Sequence, residues 1–132
     1  MTGRRRLFVA AGVVGLLAGL GFWAAYREEP APTVRVPELS LAGQAGRAAF
    51  QRSCASCHGD VGQGTMTGPP LVHAIYRPGH HADVAFELAV RRGVRAHHWR
   101  FGDMPPQPTV TPGAIPMITR YVRELQQANG ID

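Results

Sequence analysis

The chain has two cysteines, three positions apart, with a histidine directly behind the second, in CASCHG at residues 54 to 59. Three chemistries use such a set. A dithiol can cycle with a disulfide, thiolates and imidazole can hold zinc, and two thiols can add to the vinyl groups of one porphyrin while the next histidine binds its iron. A redox dithiol of this spacing sits between a strand and a helix of a thioredoxin-like fold, and no stretch here shows a strand pattern of any length. A zinc site needs four ligands. Cys54, Cys57 and His58 supply three from one helical turn, with His58 adjacent to Cys57 and poorly placed to share a tetrahedral ion with it. A chance pairing would leave two free thiols in an oxidising compartment, since the residues that follow the apolar N-terminal run are exported. Covalent haem attachment at Cys54 and Cys57, with His58 as proximal iron ligand, accounts for every feature.

Three helices are needed to position that motif. The first is expected from about Ser40 to Cys57, with Ser40 as N-cap and Leu41, Phe50, Cys54 and Cys57 along one stripe. Gly46 lies one turn before Phe50, and a glycine inside a helix costs about 1 kcal/mol against alanine, so a close helix crossing is expected there. The second helix spans Ala82 to Arg92, with Asp83 near its start and Gly93 as its C-cap. In the third, Thr111 is the expected N-cap and Pro112 the first helical residue. Ile115, Ile118, Val122 and Leu125 follow at helical spacing, and Gly130 ends the helix. The segments between helices are long for so small a domain, which marks them as functional. Wrapped around a haem, they become its walls, and the haem supplies the apolar mass that a core of barely ninety residues lacks. The fold class is all-α.

Residues 7–26, LFVAAGVVGLLAGLGFWAAY, form a run of twenty without a charge, long enough to cross a bilayer. Residues 1–6 carry Arg4, Arg5 and Arg6, which place the N-terminus in the cytoplasm. The run reads as a transmembrane anchor. A signal peptide is the alternative, but no small-x-small pair closes the run. Residues 27–39 are proline-rich and read as a semi-extended tether, so the domain occupies residues 40–132. From Pro30 onward ten arginines face seven acids, scattered along the chain, and nucleic-acid binding is not expected.

The domain resembles the class I c-type cytochromes, a likeness carried by CASCHG, by Gly46-Phe50-Cys54 at four-residue spacing, by GPPL at residues 68 to 71 and by ITRYVREL at residues 118 to 125. The resemblance implies that Gly46 and Phe50 pack against Tyr121 in the C-terminal helix. It implies that the Pro69 carbonyl accepts the ring proton of His58 and so orients it. It also implies that Met104, in FGDMPPQP, is the distal iron ligand. Met66 is too near the proximal side and Met117 reads as a packing residue. His97 and His98 remain competitors for the distal position, whereas His80, His81 and His73 read as helix-start, surface or packing residues. Trp99 could reach a haem propionate through its indole N–H, although burial alone would also explain it.

The function so implied is single-electron transfer by one haem c, between donor and acceptor proteins at the outer, periplasmic face of a bacterial cytoplasmic membrane. The chain is then a carrier and not an enzyme, either a monomeric shuttle or a subunit of a membrane complex. A haem enzyme or gas sensor with an open distal iron site is the alternative. Metal handling without haem, through the paired histidines and the methionines, is a third class.

Overall fold

The computed structural model describes residues 33–132. The expected anchor, residues 7–26, lies outside the described residues. Among those described, no helix is long and apolar enough to cross a membrane. They form four α-helices, one 3-10 turn and no strand. These are α1 (Leu41–Ser53), α2 (Ala55–His58), the 3-10 turn Ala74–Tyr76, α3 (Asp83–Arg92) and α4 (Ala114–Ala128).

Ser40 caps α1 as expected: its hydroxyl oxygen accepts the Gly43 N–H at 3.0 Å. The same hydroxyl donates to Glu124 at 2.6 Å, and the Ser40 N–H donates to the other oxygen of that carboxylate at 3.1 Å. One serine thus starts α1 and fastens it to α4. The first helix does not run unbroken to Cys57. Its backbone steps out at Cys54, at φ −125°, before α2 resumes at Ala55. The hydrogen bonds from Cys54 N–H to Phe50 and from His58 N–H to Cys54 carry the helical path through the break.

α1 and α4 cross closely at Gly46. A Cβ there would fall on the Met117 carbonyl and lie 3.0 Å from Tyr121 Cβ. One turn on, the Phe50 and Tyr121 rings meet edge to face, with centroids 5.3 Å apart, the geometry the ring quadrupoles favour. Ala49, Ala55, Ile118, Val122 and Leu125 complete this core. The crossing inferred from a helical glycine is present.

α4 starts later than the sequence suggests. Thr111 and Pro112 lie in a turn closed by the Ala114 N–H on the Thr111 carbonyl, and Gly113 is the residue before the helix. Thr111 is therefore not its N-cap. At the other end, Ile131 N–H reaches the Gln126 carbonyl and Gly130 N–H the Gln127 carbonyl, the paired bonds of a Schellman stop.

The proline-rich segment is also corrected in part. Residues 33–39 are not a free tether: Val34 and Leu39 pack against the core. The Arg35 backbone makes two hydrogen bonds with the Asn129 amide, at 2.9 and 2.8 Å. The folded unit thus begins before residue 40.

Candidate haem site

The loop behind the motif is closed by its own backbone. Gly62 accepts from both Leu71 and Val72, Gly64 donates to His58 at 2.7 Å, and the Thr65 hydroxyl donates to the Cys57 carbonyl at 2.6 Å. This folding brings the Pro69 carbonyl to 2.9 Å from His58 Nδ1. A carbonyl can only accept, so the ring proton is on Nδ1 and the lone pair is on Nε2. Burial lowers the His58 pKa while the Pro69 bond opposes it, and the buried imidazole is held neutral, the state in which nitrogen can bind a metal.

The two sulfurs differ in setting. Cys57 is exposed and Cys54 half-buried. Burial pushes the Cys54 thiol up to about 11, with the charge of Cys57 adding to it. At neutral pH Cys54 is a thiol.

Cys54, His58 and Pro69 open into a cavity of about 500 Å³, whose walls are mostly apolar and include Phe50, Leu71 and Met104. Two devices bring Met104 there. Its backbone pairs with Val94 through two 2.9 Å hydrogen bonds, forming an isolated bridge just past α3. Gly93, at φ 74°, ends α3 and has no Cβ to strike the Met104 carbonyl, so the returning chain can lie against the helix end. The Gln107 N–H then bonds to Val90. Of the other methionines in the described residues, Met66 is 93% exposed and Met117 is half-buried on α4, and neither lines the cavity.

His97 and His98 also reach the cavity rim, but both are exposed. His97 Nδ1 is bonded to the Arg95 carbonyl, and His98 Nε2 faces His80 at 3.4 Å. Trp99 lines the cavity and carries a buried indole N–H with no partner among the described residues. A buried unpaired donor is costly; the Tyr76 hydroxyl is the polar group beside it, and a well-aligned acceptor is what it lacks.

The residues that hold the Leu71 to Asp83 stretch of the cavity wall in place were not legible as a site. Arg123, buried on α4, donates to Asp83 at 2.8 Å, to the Tyr76 carbonyl at 2.6 Å, to Gln126 at 2.7 Å and to the His81 carbonyl. Its guanidinium also lies over the Phe86 ring. Gln126, fully buried, donates to the Leu71 and Tyr76 carbonyls. Together they fasten the segment from Leu71 to Asp83 to α4. The one sequence signal was the run of polar residues within ITRYVRELQQ: a helix enclosed on nearly all sides must give each of them a partner.

A small all-α domain with two attachment thiols and an oriented, neutral imidazole at one apolar cavity is a protein built to carry a covalently bound porphyrin. Residues 43–126 match the family model for cytochrome c, and the chain belongs to that family, as a class I c-type cytochrome with covalently bound haem c. No curated protein and no solved structure matches the chain.

Proposed function

We propose that this cytochrome passes single electrons between partner proteins at the outer face of a bacterial cytoplasmic membrane, held there by residues 7–26, with Cys54 and Cys57 as attachment sulfurs and His58 and Met104 as axial ligands. The observation that carries the proposal is the shared cavity: His58, with Nε2 left free by Pro69, and Met104, pinned through Val94, line the same mostly apolar space. Bound there, haem c supplies a one-electron iron couple, and imidazole–thioether ligation raises its potential.

The chain's own residues do the rest. Pro69 fixes the ring orientation and tautomer of His58. The two-bond bridge to Val94 and the following Pro105-Pro106 restrain Met104. Phe50, Leu71 and Val94 give the cavity apolar walls, and Trp99 offers its indole N–H to a propionate. A site with both axial positions filled by restrained side chains suits electron transfer better than substrate turnover. Exchange with partners takes place through the surface at the exposed Cys57 and its neighbours Ser56 and Met66, and such interfaces are small and short-lived. An anchored domain of this kind exchanges electrons as a tethered carrier or as a subunit of a membrane complex.

The test is the absorption spectrum of the haem-loaded ferric protein beside Met104→Ala. A weak sulfur-to-iron charge-transfer band at the red edge is expected in the parent and lost in the variant, with rapid carbon monoxide binding gained on reduction. An unchanged low-spin spectrum in Met104→Ala would overturn the assignment in favour of a histidine pair. A high-spin parent spectrum would replace the carrier by an open-site enzyme or sensor.

A further inference from the structure

Four of the six histidines gather at one place on the surface. His80 and His81 lie on the segment before α3, and His97 and His98 on the loop that leads to Met104. Their rings pack in a chain: His80 against His81 at 4.7 Å between centroids, His81 against His98 at 5.1 Å, and His98 against His97 at 4.2 Å. Two sequence segments seventeen residues apart thus converge on one imidazole cluster. His81, His97 and His98 border the haem cavity as well, but the ligand set of the proposed function leaves the cluster unused.

We propose that His80, His81 and His98 form a binding site for a second metal, a divalent ion of borderline character such as Zn²⁺, Cu²⁺ or Ni²⁺, separate from the haem iron. One potential ligand nitrogen from each of the three lies within 4.8 Å of those of the other two. His80 Nε2 and His98 Nε2 are 3.4 Å apart. A tetrahedral ion with metal–nitrogen bonds of 2.0–2.1 Å needs its ligand nitrogens about 3.3–3.4 Å from one another, so this pair already spans one edge of the polyhedron. The third ligand is aimed by its own hydrogen bond. His81 Nδ1 donates to the Ile75 carbonyl at 2.8 Å, which leaves Nε2 with the lone pair, the backing that metal-binding histidines usually have. The His81 backbone is in turn held by Arg123. An all-imidazole set excludes Mg²⁺ and Ca²⁺, which take oxygen, and suits zinc, copper and nickel. The exposure of His80 and His98 leaves a fourth position for water, or for His97, whose Nδ1 is likewise tied to a backbone carbonyl.

The consequence is mechanical. His98 precedes Met104 by six residues, so a metal here clips the Met104 loop to the segment that Arg123 and Gln126 hold against α4. An occupied site restrains the loop that carries the distal ligand.

The test uses the full-length, haem-loaded protein without a histidine tag, titrated calorimetrically with Zn²⁺, which is redox-inert and leaves the haem iron's oxidation state alone. Uptake of one ion per chain is expected. Affinity should fall by about 100-fold or more in His80→Ala and in His98→Ala, beyond the 10- to 100-fold that loss of a mere supporting partner costs. It should be unchanged in His73→Gln, whose ring lies outside the cluster. His80→Ala should keep the parent Soret spectrum, since His80 is exposed and lies outside the cavity lining. No saturable uptake up to about 1 mM Zn²⁺ would overturn the proposal, as would binding that survives both alanine variants. So would a His98→Ala protein that loses its Soret spectrum while Zn²⁺ uptake by the parent is unsaturable, since the cluster would then be serving the haem. Loss of the Met104 charge-transfer band in the parent, without Zn²⁺, would bear on the axial ligand alone and leave the stoichiometry result standing.

Discussion

Gly46→Ala puts the helix crossing to the test. The change replaces a helix-interior glycine by the best helix former, and on propensity alone it should stabilise by about 1 kcal/mol. The structure predicts the opposite sign. The added Cβ falls on the Met117 carbonyl oxygen, lies 2.5 Å from the carbonyl carbon and sits 3.0 Å from Tyr121 Cβ. Ordinary carbon–carbon contact begins near 3.5 Å, so α1 and α4 must part by about 1 Å. The atoms in the way are mostly backbone, with no rotamer to yield. Overpacking of this kind costs about 1–3 kcal/mol, and parting the helices also loosens the Phe50–Tyr121 contact, at about 0.5–1.5 kcal/mol. Net of the propensity gain, a loss of about 1–3 kcal/mol is expected. Urea melts of the haem-loaded protein, followed by helical circular dichroism, measure it. Gly113→Ala is the control, because a Cβ there meets nothing within 4 Å; it should stay within about 1 kcal/mol of the parent. A Gly46→Ala protein as stable as the parent, or more so, would refute the close crossing.

Arg123→Met removes four hydrogen bonds at once and leaves the Tyr76 and His81 carbonyls without their charged donor; a loss of about 3 kcal/mol is expected in the same melts, with faster amide exchange across residues 71–83. Glu124 gives a pH dependence. Burial raises its pKa, but the Ser40 hydroxyl, Arg120 and the Ser40 N–H outweigh that and hold it below the ordinary 4.5. A carboxylate whose folded pKa is depressed contributes stability that is complete above its unfolded value and lost as pH falls through the folded one. The parent should therefore lose stability more steeply than Glu124→Gln as pH drops below about 4.5, while at pH 7 the variant should be about 1–2 kcal/mol the weaker. Parallel acid limbs for the two proteins would remove Glu124 from the account.

The sequence carried what is local. Six residues hold the two attachment thiols and the imidazole. Ser40 could be read as a cap because its partner, Gly43, is three residues away, and Gly93 as a stop because the apolar spacing ends there. Pro69 was legible only through the family's GPPL turn, since nothing in its own composition shows that a loop will fold its carbonyl onto His58. The failures share one cause. Residues 33–39 looked like a linker because their prolines and polar residues lack periodicity; what secures them is Asn129, 94 positions from Arg35. Thr111 and Pro112 have the chemistry of a helix start, but the chain spends them on a turn and the helix begins at Ala114. Nothing near Arg123 in the chain marks its role, because three of its four partners lie 40 to 47 positions away. The histidines stood as two separate pairs until the loops converged.

These long-range links end on a single helix. Through Gly46 and Phe50, α4 receives α1 at Met117 and Tyr121. Ser40 meets it at Glu124 and the backbone of Arg35 meets the asparagine just beyond its end. The Tyr121 hydroxyl donates to the Asp60 carbonyl, Gln126 to Leu71, and Arg123 to the carbonyls of Tyr76 and His81. No residue of α4 belongs to the attachment motif or to the proposed axial pair, yet the segments that border the cavity hang from it: Asp60 and Leu71 on the loop behind His58, Tyr76 and His81 on the segment before α3. Burial of its whole middle section follows from that position. Arg123, Glu124 and Gln126 face inward because they terminate backbone carbonyls or a cap that would otherwise be buried without a partner, at about 1–3 kcal/mol apiece. A helix in this role couples stability to ligation. Substitutions that loosen α4 should disturb the Met104 side of the site before the His58 side. Met104 is held by two backbone bonds to Val94 at the end of one loop, whereas His58 is held within a closed set of short-range bonds from Gly59 to Val72.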